Sequence, residues 1–184
     1  MNIALLGGSF NPPHNGHISI AKQILDLSFA DEVWFLPNYG QRPPKNVVSV
    51  TDRLAMTRLL ELPKARVSTI EIDNKLDGET IHLLPFLPKE HEFLFIIGSD
   101  QLFGFAKWLR WEKLLKSMQF LVFPRVGFLN EPLFEGMRVI DDARLVTMDI
   151  SSTKIRDRIK NGQPIDSFVP SAVAQYIYNH TLYI

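Results

Sequence analysis

The chain contains no cysteine. This absence excludes disulfide bonds, thiolate metal sites and thiol catalysis. The chain also lacks an excess of charge of either sign, since 20 lysines and arginines stand against 20 aspartates and glutamates in 184 residues. Because the net charge is zero, no overall electrostatic field attracts nucleic acid or an anionic membrane. Any anionic ligand must therefore be held by local groups.

Long apolar runs are also missing. No stretch approaches the roughly 18 apolar residues that cross a membrane, and the opening MNIALLGG has no basic segment ahead of an apolar one. We therefore expect a cytoplasmic protein with neither a membrane nor a nucleic acid as partner. The composition leaves a homo-oligomer open.

Short apolar runs, typical of buried strands, alternate with segments of helical period. This alternation predicts a doubly wound, Rossmann-like α/β fold with a mainly parallel sheet, and the length predicts a single domain over residues 1–184. Pro85 and Pro88 should shorten any helix in segment 76–89, and segment 125–142 is expected to be irregular. Residues 151–184 are expected to form a helical C-terminal portion. The predicted strands are 3–6, 33–36, 67–72, 93–97, 120–123 and 145–150, and the last two helices are 152–161 and 170–179.

In such a sheet, ligands bind beyond the carboxyl ends of the strands, where the strand order reverses between the first and fourth strands. Two motifs follow those strands. GGSFNPPHNGH occupies residues 7–17, and Gly98-Ser99-Asp100 follows the fourth apolar run. We expect the functional site to lie between them.

The first motif has the composition of a phosphate site. Its glycines let a backbone N–H approach a ligand, its prolines stiffen the turn, and His14 and His17 face a helix N-terminus, which attracts anions. The motif matches neither GxxxxGK[ST] nor GxGxxG. A zinc pair is disfavoured because HxxH lacks an intervening glutamate and an obvious third ligand. A tight turn with incidental histidines stays open.

A second candidate anion site is ISSTKIR at residues 150–156. Serine and threonine at a helix start leave N–H groups pointing outward, and Arg156 leans back over that start. Taken alone, the heptapeptide is typical of an ordinary helix cap. Only its combination with the first motif favours a clamp for terminal phosphates.

HxGH together with ISSTKIR resembles the nucleotidyltransferase superfamily, whose signatures are HxGH and an SSTxxR-type helix start. Within it, the chain is most similar to the bacterial nicotinate-nucleotide adenylyltransferases. Further similar stretches are the GSD at residues 98–100, the WLRW at residues 108–111 and VPSAVAQYIYNHTLY at residues 169–183. The likeness runs over nearly the whole chain.

The resemblance implies transfer of the adenylyl group of ATP to nicotinate mononucleotide in NAD biosynthesis, with Mg²⁺ accompanying ATP and no metal ligand supplied by the protein. The implied catalytic residues are His14, His17, Lys45 and Arg156. The residues implied for ATP binding are Gly7, Gly8, Ser9, Phe10, His17, Gly98, Asp100, Ser151, Ser152, Thr153 and Arg156. Those implied for the mononucleotide are Lys45, Thr80, Trp108 and Arg125.

Two positions depart from the family pattern. Pro44 stands where the family usually has a histidine before Lys45, and Glu79 stands where it has a tyrosine before Thr80. These departures leave open another acceptor, such as nicotinamide mononucleotide or phosphopantetheine. A non-catalytic nucleotide sensor and a metal hydrolase that uses His14 and His17 are the alternatives from other classes.

Overall fold

The computed structural model describes residues 1–40 and 47–184. Within them, six strands form one sheet in which every neighbouring pair runs parallel. The strands are β1 (Asn2–Gly8), β2 (Glu32–Pro37), β3 (Ala65–Val67), β4 (Glu92–Gly98), β5 (Gln119–Phe123) and β6 (Met137–Val139). Their spatial order is β3-β2-β1-β4-β5-β6, which confirms the predicted doubly wound fold.

Helices connect the strands and cover the sheet. They are α1 (Asn15–Asp26), α2 (Val50–Thr57), α3 (Ile70–Asp73), α4 (Thr80–Leu83), α5 (Trp111–Ser117), α6 (Ser152–Lys160) and α7 (Ser171–Asn179). Two 3-10 helices span Leu84–Phe86 and Ser99–Lys107. In the part of the chain that the structure describes, no helix is long and apolar enough to cross a membrane.

The two faces of the sheet carry separate apolar cores because side chains alternate along each strand. On β1, Ala4 and Leu6 join a cluster that includes residues of α1, α6 and α7. Ile3 and Leu5 join the opposite cluster, which includes Phe105 of the second 3-10 helix. Burial on both faces explains why the strands are continuous apolar runs.

The prediction for the third strand was wrong in its boundaries. The predicted run 67–72 is divided between β3, which ends at Val67, and α3. The N–H of Ser68 still donates to the carbonyl of Phe35 in β2. The Thr69 hydroxyl then donates to the carboxylate of Asp73, four residues further along the chain, at 2.7 Å. An Ile-Glu-Ile triplet is too short for periodicity to distinguish a strand from a helical turn.

The prediction for the sixth strand was also wrong. Segment 145–150 has no regular structure, and β6 instead lies in the segment for which little structure was predicted. The side-chain amide of Gln23 donates to the carbonyl of Val146 at 2.9 Å and accepts from its N–H at 2.6 Å. Because one side chain satisfies both polar groups of Val146, this backbone needs no neighbouring strand.

The strand order reverses between β1 and β4, as predicted. Their carboxyl ends, at Gly8 and Gly98, therefore open into the same crevice. The two final helices, α6 and α7, also form close to their predicted bounds.

Candidate active site

The turn between β1 and α1 is held rigidly from several directions. Asn11 is buried, and its side-chain oxygen accepts from the N–H of Val48 at 3.3 Å and from the hydroxyl of Tyr183 at 2.9 Å. The N–H of Asn15, the first residue of α1, donates to the carbonyl of Phe168 at 2.9 Å. Segments far apart in sequence thus fix the turn that carries both histidines.

Arg53 of α2 is a structural partner of this turn that sequence reasoning missed. Its side chain is only 1% exposed, and its guanidinium donates to the carbonyls of Ser9 and Asn38, each at 2.8 Å. It therefore joins the loop after β1 to the loop after β2. No local motif marks an arginine for this role, since its partners are backbone groups brought near by the fold.

The two histidines lie against each other at the start of α1. Their ring centroids are 3.8 Å apart, and the backbone N–H of His14 donates to Nδ1 of His17 at 3.1 Å. Because Nδ1 accepts this bond, a neutral His17 carries its proton on Nε2. His14 is 5% exposed, and within the described residues its Nδ1 has no hydrogen-bond partner.

Both imidazoles are held in the neutral form. Burial, with the nearby positive charge of Arg125, lowers the pKa of His17 from its usual 6.5 to about 3. Burial lowers the pKa of His14 further, aided by His17 and Arg125. At neutral pH each ring therefore offers one N–H donor and adds no charge to the site.

The second motif is docked onto the same turn. The Ser152 hydroxyl donates to the carbonyl of Pro12 at 2.8 Å, and the Arg156 guanidinium donates to the carbonyl of Asn11 at 2.8 Å. Arg156 also donates to the Thr153 hydroxyl at 3.1 Å, so it leans back over the start of α6 as the sequence predicts. The structure thus brings the N-terminus of α6 beside the histidine turn.

Ser151 caps α6. Its hydroxyl accepts from the N–H of Lys154 at 3.3 Å, which satisfies one of the free donors at the helix start. The remaining N–H groups of the first turn are available to an anion.

On the other side of the crevice, Gly98 leads into a polar cluster. The Arg125 guanidinium lies 3.1 Å from a carboxylate oxygen of Asp100, and the Arg125 N–H donates to the buried Ser99 hydroxyl at 2.9 Å. A Cβ on Gly98 would collide with Asp100 and come within 2.8 Å of Arg125. A side chain at position 98 would therefore displace the Asp100–Arg125 pair from the end of β4.

A cavity of about 630 Å³ lies between β1, β4 and α4. It is lined by several residues that the resemblance assigns to the substrates, namely Gly7, Gly8, Ser9, Thr80, Asp100 and Trp108. His14, His17 and Arg125 line a smaller adjoining depression together with Ile150.

The Phe10 side chain does not line the cavity. The Phe10 ring is buried in the core beside Phe35 and His17, which leaves only its backbone available to a nucleotide. Trp108 lines the cavity and packs on Phe105, with ring centroids 5.0 Å apart. Lys45 lies outside the described residues.

Glu71 is a cavity residue that sequence reasoning missed. It is 5% exposed, and in the described part of the chain its Oε2 has no hydrogen-bond partner. Burial, together with the negative charge of Asp77, raises the pKa of Glu71 to about 7. No sequence signal identified it, because a glutamate between two isoleucines is equally typical of the exposed face of a strand.

Residues 1–40 and 47–184 contain no cluster of three or more histidine, cysteine, aspartate or glutamate side chains placed to hold a metal ion. The donors at the start of α6 are hydroxyls, backbone N–H groups and a guanidinium. This set favours phosphate over a metal cation.

Comparisons with known proteins identify a family and named relatives. Residues 5–158 match the model of a family described as cytidylyltransferase-like. The chain is 36% identical to a Salinibacter ruber protein named "Probable nicotinate-nucleotide adenylyltransferase", over 100% of this chain and 98% of that one. It is 32% identical to the Bacillus subtilis protein named nicotinate-nucleotide adenylyltransferase, over 98% and 97% of the two chains.

A solved structure has a similar fold. It is the Plasmodium falciparum nicotinic acid mononucleotide adenylyltransferase complexed with NaAD, which superimposes with a TM-score of 0.85 at 22% sequence identity. The match covers 99% of this chain and 97% of that one.

Proposed function

Because the chain belongs to the cytidylyltransferase-like family, we propose that it transfers the adenylyl group of ATP to nicotinate mononucleotide. The products are nicotinate adenine dinucleotide and pyrophosphate, and the reaction is a step of NAD biosynthesis. The full-length similarity to relatives that carry this enzyme name supports the assignment.

The reaction does not require a covalent bond between the protein and the substrate. A phosphate oxygen of the mononucleotide attacks the α-phosphorus of ATP, and the bond from that phosphorus to the oxygen bridging the α- and β-phosphates breaks as pyrophosphate leaves. The second pKa of a phosphate monoester is about 6, so the attacking group is already ionised at neutral pH and needs no general base. Catalysis therefore depends on alignment and on donors to the developing charge.

The observation that carries the proposal is the pair of neutral, packed histidines on a turn that also holds the N-terminus of α6. We assign the Nε2–H of His17 to the α-phosphate in the transition state, with His14 beside it. Donors fixed in advance stabilise the transition state without reorganising during the reaction.

The start of α6 is suited to the leaving pyrophosphate. Arg156 is oriented by the carbonyl of Asn11 and the Thr153 hydroxyl, which places a fixed charge over the free N–H groups of the helix. We assign Arg156, Ser151, Ser152 and Thr153 to the β- and γ-phosphates. The helix dipole favours the same anion.

The 630 Å³ cavity is suited to the nucleoside parts. We assign Gly7, Gly8, Ser9, the Phe10 backbone, Gly98 and Asp100 to the adenosine side. Trp108 offers an aromatic face to the pyridine ring and Thr80 a hydroxyl, while Arg125 and Lys45 are assigned to the mononucleotide phosphate.

Mg²⁺ enters this scheme with ATP. The described residues offer no carboxylate cage, and Mg²⁺ is commonly held by substrate phosphates and water. When bound, the ion would neutralise part of the charge on the departing pyrophosphate.

Pyrophosphate release with ATP and Mg²⁺ tests the proposal. Nicotinate mononucleotide, nicotinamide mononucleotide and phosphopantetheine are compared as acceptors, and we expect the highest kcat/KM with nicotinate mononucleotide. Preference for another acceptor would keep the chemistry but overturn the substrate. No release with any of them would overturn the enzyme assignment in favour of a sensor.

A further inference from the structure

Two glutamates line the proposed acceptor cavity, but they differ in their surroundings. Glu71 is 5% exposed, and in the part of the chain that the structure describes its Oε2 has no hydrogen-bond partner. Glu79 is partly exposed at the start of α4. The mechanism above uses neither glutamate. Buried polar atoms normally have a hydrogen-bond partner, so the unpaired Oε2 of Glu71 calls for an explanation.

The charged groups around Glu71 are few. Asp77 is the one that acts on it most directly, and its carboxylate is engaged with the N–H of Glu79 and with Nδ1 of His82. Asp100 and Lys107 line the same cavity. Among the described residues, β2, on which α3 packs, contributes the uncharged Leu36 to the lining, and the loop after β2 contributes Asn38.

We propose that Glu71 is a specificity-determining residue whose carboxyl group donates a hydrogen bond to the carboxylate of nicotinate. This inference rests on the function proposed above. It assigns to one side chain the distinction between a pyridine carboxylate and a pyridine carboxamide.

The electrostatics of the cavity support this role. Burial and Asp77 raise the pKa of Glu71 to about 7, so near neutral pH a large fraction of the carboxyl is protonated. A hydrogen bond from an acid O–H to a carboxylate is among the short and strong ones. Once ionised, Glu71 would instead repel the nicotinate carboxylate.

A carboxamide responds differently. It has both donors and an acceptor, and can therefore pair with Glu71 in either protonation state. The preference for nicotinate over nicotinamide mononucleotide should consequently fall as the pH rises above about 7.

The test is the ratio of kcat/KM for the two acceptors between pH 5.5 and 8.5. The acceptor phosphate and ATP titrate identically in both reactions, so their effects cancel in the ratio. We expect a constant ratio at low pH and a fall of up to about tenfold per pH unit above the midpoint. Where nicotinamide mononucleotide is not turned over, its inhibition constant replaces its kcat/KM.

Glu71→Gln keeps a donor but cannot titrate, and we expect it to flatten the profile. Glu79→Gln is the matched control, since it removes the other cavity glutamate and should leave the midpoint unchanged. A flat profile in the unmodified protein, or an unchanged slope in Glu71→Gln, would overturn the inference.

A second measurement avoids any variant. Calorimetric titration in buffers of different ionisation enthalpy measures the protons taken up on binding. Near pH 8 we expect greater uptake with nicotinate mononucleotide than with nicotinamide mononucleotide. Equal uptake with the two would also overturn the role of Glu71. Failure of the proposed function is distinguishable, because nicotinate mononucleotide would then release no pyrophosphate at any pH.

Discussion

At the residue scale, the role proposed for His17 is that of a hydrogen-bond donor rather than a base. His17 keeps its proton on Nε2 because its Nδ1 accepts from the backbone of His14. We expect His17→Ala to reduce kcat more than a hundredfold while the Kd for ATP changes little, in line with the loss of one transition-state donor. Single-turnover kinetics and equilibrium ATP binding check this.

His180→Ala provides the matched control for that variant. This histidine is exposed and stacks on Tyr176, with ring centroids 3.9 Å apart. Its removal should leave kcat near that of the unmodified protein. Equal losses of ATP binding and of kcat in His17→Ala would contradict the role given to His17.

The same histidine makes stability depend on pH. Its pKa is about 3 in the folded protein against an ordinary 6.5, so between these values the unfolded chain binds more protons. The free energy of unfolding therefore has its full value above about pH 6.5, where His17 is neutral in both states. It falls as the pH is lowered, because protonation then favours the unfolded chain. Since His17 is partly exposed, we expect a loss of at most about 2 kcal/mol between pH 6.5 and 5.

Urea unfolding at pH 7 and pH 5 measures this loss. His17→Asn removes the titrating ring and should reduce the difference in the free energy of unfolding between the two pH values. An identical difference in both proteins would show that other groups cause the acid sensitivity.

At the element scale, the start of α1 requires a residue without a side chain at Gly16. A Cβ there would lie 2.9 Å from Nδ1 of His14, whose ring already packs against that of His17. We expect Gly16→Ala to displace His14 and to lower kcat at least tenfold, because small misplacements of catalytic groups are costly. Steady-state kinetics on the purified variant check this.

Gly104→Ala is a matched control in the 3-10 helix after β4, where a Cβ would meet nothing within 4 Å. It should leave kcat unchanged. Retention of full activity by Gly16→Ala would contradict the tight placement of His14.

At this scale the sequence predicted the parallel sheet, its reversal point and the helices α6 and α7, because those segments have clear periodicity or caps. It misplaced β3 and β6, which pair over only three residues each. The contributions of Arg53 and Glu71 were not predictable, since their burial depends on contacts between loops and not on a local pattern. The roles of the predicted site residues themselves stay predictions.

At the scale of the whole molecule, the chain's last residues support a turn near its first. The Tyr183 hydroxyl donates to the side-chain oxygen of Asn11, which also accepts from the N–H of Val48. The backbone carbonyl of Asn11 accepts from the Arg156 guanidinium. Burial raises the pKa of the Tyr183 hydroxyl, so it stays a donor at neutral pH.

This arrangement predicts that a change at Tyr183 affects the turn that carries His14 and His17. Tyr183→Phe removes one donor to a buried oxygen, and we expect about 1 kcal/mol less stability, together with a several-fold lower kcat. Tyr178→Phe, at an exposed position of α7, is the control and should change neither. If Tyr183→Phe lowered the free energy of unfolding but left kcat intact, the C-terminal segment would stabilise the fold without positioning His14 and His17.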